Sequence, residues 1–130
     1  MTVDRQFAAG EQWSYRAPEG FEGSRIIIGA IVTFAEREPI ICCAVFGAPR
    51  RLADGRIEPV TIPFLPMLGS ALAASVVAHD GEAELPASFP AAFENWQNDT
   101  RGMSVFTVPF EGRLDLLIAR QMAQGLAAAE

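Results

Sequence analysis

The chain has 130 residues, half of them apolar and a fifth charged, with 16 acidic residues, 10 arginines and a formal net charge of -6. This length and composition predict one globular domain with a core of its own. An acidic chain is a poor partner for nucleic acid or an anionic membrane, because both affinities depend on neutralised phosphate. We therefore expect neither partner.

The first residues lack the charged start and apolar run of a secretory signal, which predicts a soluble cytoplasmic protein. Residues 59–79 carry neither an acidic residue nor Arg, but prolines interrupt the first part of this stretch. The roughly 13 residues after Pro66 are too few to span a bilayer of ~30 Å. The sequence thus predicts no membrane segment.

The first half of the chain has the patterns of β-strands. Trp13, Tyr15 and Ala17 alternate with polar residues over 11–17, as in a half-buried strand. Further strands are predicted at 24–35, at 40–48 and, as a short one, at 57–62. Residues 1–9 are expected to form a loose N-terminal leader before a single domain at 10–130.

The second half has the patterns of helices. The first is predicted from Pro66 to about Ala78, and the second from a capping Ser88 to Gly102, its aromatic face formed by Phe89, Phe93 and Trp96. The last is predicted over 112–128, with an apolar stripe of Leu114, Leu117, Ile118, Met122 and Leu126. A strand at 103–110 separates the last two. This order predicts an α+β fold, an antiparallel sheet or partly closed small barrel of about four or five strands with about three helices.

The strands at 24–35 and 40–48 are apolar on both faces. In the first of them Ile26 and Ile28 share one face, while Ile27 and Ile31 share the other. An antiparallel sheet with one solvated face alternates apolar and polar residues, so both faces are predicted to be covered. Three short helices are expected to cover one face only. We therefore predict a homodimer in which a second copy covers the other face, with barrel closure as the alternative.

Cys42 and Cys43 are adjacent in a predicted strand. Adjacent strand side chains point to opposite faces, so the two sulfurs are not expected to form a disulfide. Apolar neighbours desolvate a thiolate and make it a poor nucleophile. We interpret both as core residues, and a reactive or metal-binding thiol pair is the alternative.

His79 is the only histidine of the chain. It is predicted at a helix C-terminus, where the helix dipole favours its protonated form. The alternative is a general base, although the sequence has no nucleophile motif and offers no partner for the imidazole. Nucleotide-binding and zinc motifs are lacking too, so we predict no cofactor and no metal.

The stretch "GEQWSYRAPEGFEGSR" gathers aromatic and basic residues around one turn. Trp13 and Tyr15 share a strand face, and Arg16 and Arg25 flank the turn with its glutamates. The functional interpretation is a clamp for a small anionic ligand, because Arg presents a planar bidentate fork. The plainer interpretation, an aromatic core with a hairpin salt bridge, is the one we favour.

Several motifs follow one another in a characteristic order. They are Gly10, Trp13, Tyr15 and Arg16, then Ser24 before "IIIGAI", then "IPFLPMLGSALAAS", Trp96 and "FTV" at 106–108. This order, over about residues 10–120, resembles a family of small uncharacterised bacterial single-domain proteins. Its members carry His in the third strand and before the Pro-Phe step, where this chain has Cys42 or a neighbour and Thr61. The resemblance implies one small domain and no known activity.

The sequence as a whole predicts a non-catalytic binding or interaction domain that forms a homodimer through an apolar sheet face. The alternative is a small enzyme that uses His79 or a cysteine of the central strand.

Overall fold

The computed structural model describes residues 7–100, 105–110, 117–119 and 122. In this part of the chain five strands form one antiparallel sheet: β1 Glu11–Tyr15, β2 Arg25–Val32, β3 Ile40–Arg51, β4 Ile57–Leu68 and β5 Val76–Glu82. The helices are α1 Gly69–Ser75 and α2 Phe89–Gln97, and residues 117–119 and 122 are helical as well. The predicted α+β class with an antiparallel sheet is confirmed.

The strand order is β4-β3-β2-β1-β5, so β1 to β4 pair in sequence and the chain then crosses through α1 to add β5 beside β1. In a flat sheet four strand spacings, roughly 19 Å, would separate the two edge strands. The stretch from Leu68 to Val76 that crosses between them is mostly helical and spans only about 12 Å. The sheet is therefore curved toward the face on which α1 lies.

The first core fills the face under α1. Its members include Ile26 and Ile28 of β2, Leu72 of α1, Phe110 and Leu117. On the opposite face α2 covers a second core, whose buried members are Ile40, Cys42, Ala44, Phe89 and Trp96. Both faces of the central strands are thus covered, as the apolar pattern predicts.

The helices of the chain cover both faces, so the expectation that they cover only one is wrong. A nine-residue helix suffices for the second face because its aromatic side chains lie over β3 and β4. The reason for placing a second copy on a sheet face is thereby removed. The oligomeric state itself stays a prediction.

β4 is longer than the short strand predicted at 57–62 and reaches Leu68. It holds Pro59, Pro63 and Pro66, and the last of these was expected to begin a helix. An edge strand accepts proline because the missing N–H faces away from its partner strand. Phe106 lies along the end of this edge, accepting from the Leu68 N–H and donating to the Pro66 carbonyl, each at 3.0 Å.

β5 replaces the end of the first predicted helix, which was expected to reach Ala78. α1 ends at Ser75, and the β-branched pair Val76 and Val77 begins the strand. Val76 is buried against the first core, and this contact holds the chain at the point where α1 ends and β5 begins. His79 therefore lies in a strand, and its predicted position at a helix C-terminus is wrong.

The second predicted helix is present as α2 but ends at Gln97. Phe89 and Trp96 are buried as expected, whereas the Ser88 side chain makes no capping hydrogen bond. The strand predicted at 103–110 is reduced, over 105–110, to the single bridge at Phe106.

The apolar stripe predicted on the last helix is divided between the core and the surface. Leu117 is buried, while Ile118 and Met122 are exposed. The positions of that predicted helix other than 117–119 and 122, and positions 1–6 of the predicted leader, lie outside the described residues. Phe7, still within the predicted leader, packs edge-on against Trp13 with ring centroids 5.1 Å apart.

Among the helices of the described residues, none is long and apolar enough to cross a bilayer.

Glu38 binds the start of α1 from the β2–β3 turn. Its Oε1 accepts a hydrogen bond from the Ser70 N–H at 2.7 Å, and its bonds to the Ser70 side chain and backbone lower the pKa of the carboxyl. A lowered folded-state pKa stabilises the fold above the unfolded value, and this contribution disappears as the pH falls through the folded-state pKa. We expect Glu38→Gln to cost about 0.5 kcal/mol at pH 7, because the group is exposed. The free energies of unfolding of the two proteins, from urea titrations, should converge as the pH falls through the folded-state pKa of Glu38, and a difference independent of pH would contradict this.

Candidate functional site

Apart from the two cysteines, the residues singled out from the sequence converge on the junction between β1 and β5. β1 carries Trp13 and Tyr15, and the register places Trp13 opposite His79 and Tyr15 opposite Val76. β2 lies on the other side of β1 and begins at Arg25. The junction therefore unites the predicted hairpin site with the lone histidine, two features 54 or more residues apart in sequence.

Trp13, His79 and Glu11 form a compact cluster at this junction. Trp13 is 8% exposed, and its ring lies 5.3 Å from the imidazole. Glu11 Oε1 accepts from Trp13 Nε1 at 3.3 Å and from the Ala8 N–H at 2.7 Å. Glu11 Oε2 lies 3.7 Å from His79 Nε2. His79 thus has a carboxylate partner, which the sequence did not reveal because the β5 segment was assigned to a helix.

Tyr15 is a structural residue in this geometry. Its hydroxyl lies 2.7 Å from Ser24 Oγ, and Ser24 Oγ donates to the Phe46 carbonyl at 2.8 Å. Because Ser24 has only one hydroxyl proton, Tyr15 is the donor of the first bond. Burial raises the pKa of the Tyr15 phenol, against a smaller lowering by Ser24. The hydroxyl therefore stays neutral and, through Ser24 immediately before β2, links β1 to β3.

Arg25 is held by three internal partners. Its Nε donates to Asp80 Oδ2 at 2.6 Å, reaching across β1 to β5. Its Nη1 donates to the carbonyls of Glu22 at 2.7 Å and Ser24 at 2.8 Å. The acid that pairs with Arg25 is Asp80 of β5 and not a glutamate of the turn, so the predicted salt bridge within the hairpin is wrong. A bound anion would have to compete with the Asp80 carboxylate.

Arg16 has a different partner from Arg25. Its Nη2 donates to the Ala74 carbonyl in the last turn of α1, where the final carbonyls of a helix lack intrahelical donors. The two arginines therefore attach separate elements to the hairpin. The structure does not bring them to one shared partner.

Two further side chains of β1 attach β5. Gln12 Nε2 donates to the Asp80 carbonyl at 2.9 Å, and Ser14 Oγ donates to the Ala78 carbonyl at 3.3 Å. The β1–β5 register is irregular at two points, so side chains supply contacts where the backbone ladder is interrupted. The carbonyls of Ala78 and Asp80 consequently face β1.

Cys42 and Cys43 lie away from this junction, on opposite faces of β3 and in different cores. Burial raises the pKa of the Cys42 thiol to about 12. It raises that of Cys43 as well, with a further contribution from the neighbouring Cys42, and Cys43 Sγ donates to the Leu65 carbonyl at 3.2 Å. Neither thiol has the exposed, thiolate-stabilising surroundings of a nucleophile.

We expect both thiols to resist alkylation in the folded protein. At pH 8 the raised pKa leaves almost no thiolate, and both side chains are fully buried. A chromogenic disulfide reagent should therefore detect no thiol within minutes, and both after unfolding in guanidinium. Rapid release of one equivalent from the folded protein would show that a cysteine is reactive.

Among the described residues, no group of three or more His, Cys, Asp or Glu side chains is placed to hold a metal ion. No family model, no curated protein and no solved structure matches the chain. The resemblance to the uncharacterised bacterial family stays a prediction. Arguments about function therefore start from the β1–β5 junction.

Proposed function

We propose that the protein is a non-catalytic binding or interaction domain and that the outer edge of β5 is where it binds. The observation that carries this proposal is the contrast between the two edges of the sheet. β4 contains three prolines and is partly covered by Phe106. β5 contains no proline, its residues after Val76 are exposed, and it ends the strand order in the described part of the chain.

An uncovered edge strand is a template for pairing, because its outward N–H and C=O groups lack strand partners. Successive residues of a strand direct these groups to opposite edges. The carbonyls of Ala78 and Asp80 accept bonds from β1 side chains. In a trans peptide the N–H points opposite to the preceding carbonyl, so the N–H groups of His79 and Gly81 are directed outward, and so is the His79 carbonyl. Gly81 has a φ of 82°, which interrupts the alternation beyond this point. His79 and Gly81 thus supply two backbone donors, and His79 one acceptor, for a partner strand.

The alternative, a small enzyme, has one observation in its favour. Glu11 lies beside His79, and a carboxylate next to an imidazole is the usual arrangement for orienting a general base. The imidazole is 47% exposed on an edge strand, so the shielding from water that catalytic groups use would have to come from a substrate or partner.

Native mass spectrometry of the chain purified from its own host tests the proposal. We expect added mass on the wild type, from a partner or a second copy, and the same mass on His79→Ala, which keeps the backbone N–H. His79→Pro removes that N–H and should yield the bare chain, with circular dichroism confirming that it is folded. A bare wild-type monomer would overturn the proposal. Loss of the added mass in His79→Ala would favour the imidazole chemistry instead.

A further inference from the structure

We propose that the β5 edge accepts an extended basic segment of another protein as a sixth strand. This inference rests on the proposed function and adds the chemistry of the partner. Strand addition of this kind gains affinity from main-chain hydrogen bonds and specificity from alternate side chains.

The charge along the edge selects the partner. Asp80, Glu82 and Glu84 follow one another at alternate positions in and just after β5, and all three are exposed. Arg25 already offsets Asp80. Among the described ion pairs, none involves Glu82 or Glu84. Two uncompensated carboxylates beside an outward-facing backbone favour a strand that carries Arg or Lys, because opposite charges on neighbouring strands attract.

The same charges disfavour a second copy at this position. If the β5 strands of two copies paired, two identical acidic runs would face each other in one interface, and β5 contains no Arg or Lys to offset their charge. Like charges on neighbouring strands are destabilising, and the whole chain has a net charge of -6. A basic segment of a different protein meets neither obstacle.

The available edge is short, which sets the size of the segment. The segment from Ala78 to Glu82 lies opposite only four residues of β1, Ser14 to Glu11, so the edge extends over roughly 14 Å, enough for about four residues of added strand. A contact of this length is expected to be weak by itself and to depend strongly on salt. The partner therefore presents an already extended segment, since ordering a flexible one would consume most of the gain.

The test uses an acetylated hexapeptide of alternating Val and Arg, added to the full chain labelled with nitrogen-15. One control peptide carries Glu in place of Arg. A second keeps the Arg residues but has N-methyl groups on one edge, so that it keeps the charge and loses the strand bonds. The protein variants are Glu82→Arg and, as a matched charge change on the exposed surface of α2, Glu94→Arg.

We expect the Val-Arg peptide alone to shift the amide signals of His79 and Gly81 and to slow their hydrogen exchange. Glu82→Arg should weaken binding about fivefold, the equivalent of one cross-strand charge pair, and Glu94→Arg should leave it unchanged. Equal binding of the N-methylated peptide, or protection of these amides by a second copy without peptide, would overturn the inference. If one of these two results is obtained and native mass spectrometry still shows a bound partner, the proposed function survives and only the basic strand is excluded.

Discussion

Gly29→Ala is expected to lower the free energy of unfolding by about 2 kcal/mol, the cost of overpacking a filled core. A Cβ at position 29 would lie 2.2 Å from Cζ of Phe89 and 2.7 Å from its Cε1 and Cε2. The ring sits directly on the backbone of β2, so relieving the clash requires Phe89 to move within the second core. The sign of the change in the free energy of unfolding is informative, because replacing Gly by Ala within an ordinary strand stabilises the strand by roughly 0.5–1 kcal/mol.

Gly23→Ala is the matched control, since a Cβ there meets nothing within 4 Å. Urea denaturation should show Gly23→Ala at or slightly above wild-type stability and Gly29→Ala well below it. Phe89→Leu removes the atoms that clash, so it should cost less in the Gly29→Ala background than in the wild type. Strict additivity of the two substitutions would mean that Phe89 does not lie over Gly29.

The elements predicted correctly are those whose local pattern agrees with their tertiary position. The runs "IIIGAI" and "IICCAV" are rich in β-branched and small apolar residues, and both became central strands with two covered faces. α2 was recognisable from the helical spacing of Phe89, Phe93 and Trp96. In each case the residues that set the local preference also fill the core.

The wrong predictions concern segments whose structure depends on distant contacts. Pro66 is common in the first turn of helices, but the edge position of β4 accepts it in a strand. "VVAHDGE" has one core residue, Val76, and only the crossover through α1 brings it beside β1. Because that placement was hidden, so was the approach of Glu11 to His79.

The candidate site was therefore only partly predictable. Trp13, Tyr15 and Arg25 were identified from their positions around one turn, and their partners in that hairpin were within reach of strand-pairing arguments. Asp80, the acid that Arg25 binds, is 55 residues away in the sequence, and no local sequence pattern predicts a contact over that separation. The residue types were visible in the sequence, whereas their pairing required the fold.

Ser75→Ala is expected to lower the free energy of unfolding by about 2 kcal/mol, because it leaves a buried N–H without a partner. The Ser75 hydroxyl is buried in α1, donates to the Ala71 carbonyl at 2.7 Å and accepts from the Phe110 N–H at 2.8 Å. The bond to the Ala71 carbonyl is an ordinary contact within a helix, and its loss changes the free energy of unfolding little. The second joins α1 to the 105–110 segment inside the first core, where water does not replace the hydroxyl.

Ser88→Ala is the control, since that side chain makes no capping bond and its removal should change stability by less than about 0.5 kcal/mol. Hydrogen exchange locates the effect: the Phe110 amide should exchange faster in Ser75→Ala and at the wild-type rate in Ser88→Ala. Phe110 packs on Tyr15 with ring centroids 5.2 Å apart, so loosening it should also disturb β1, the strand that holds β5. Unchanged exchange at Phe110 would show that the hydroxyl does not connect α1 to this segment.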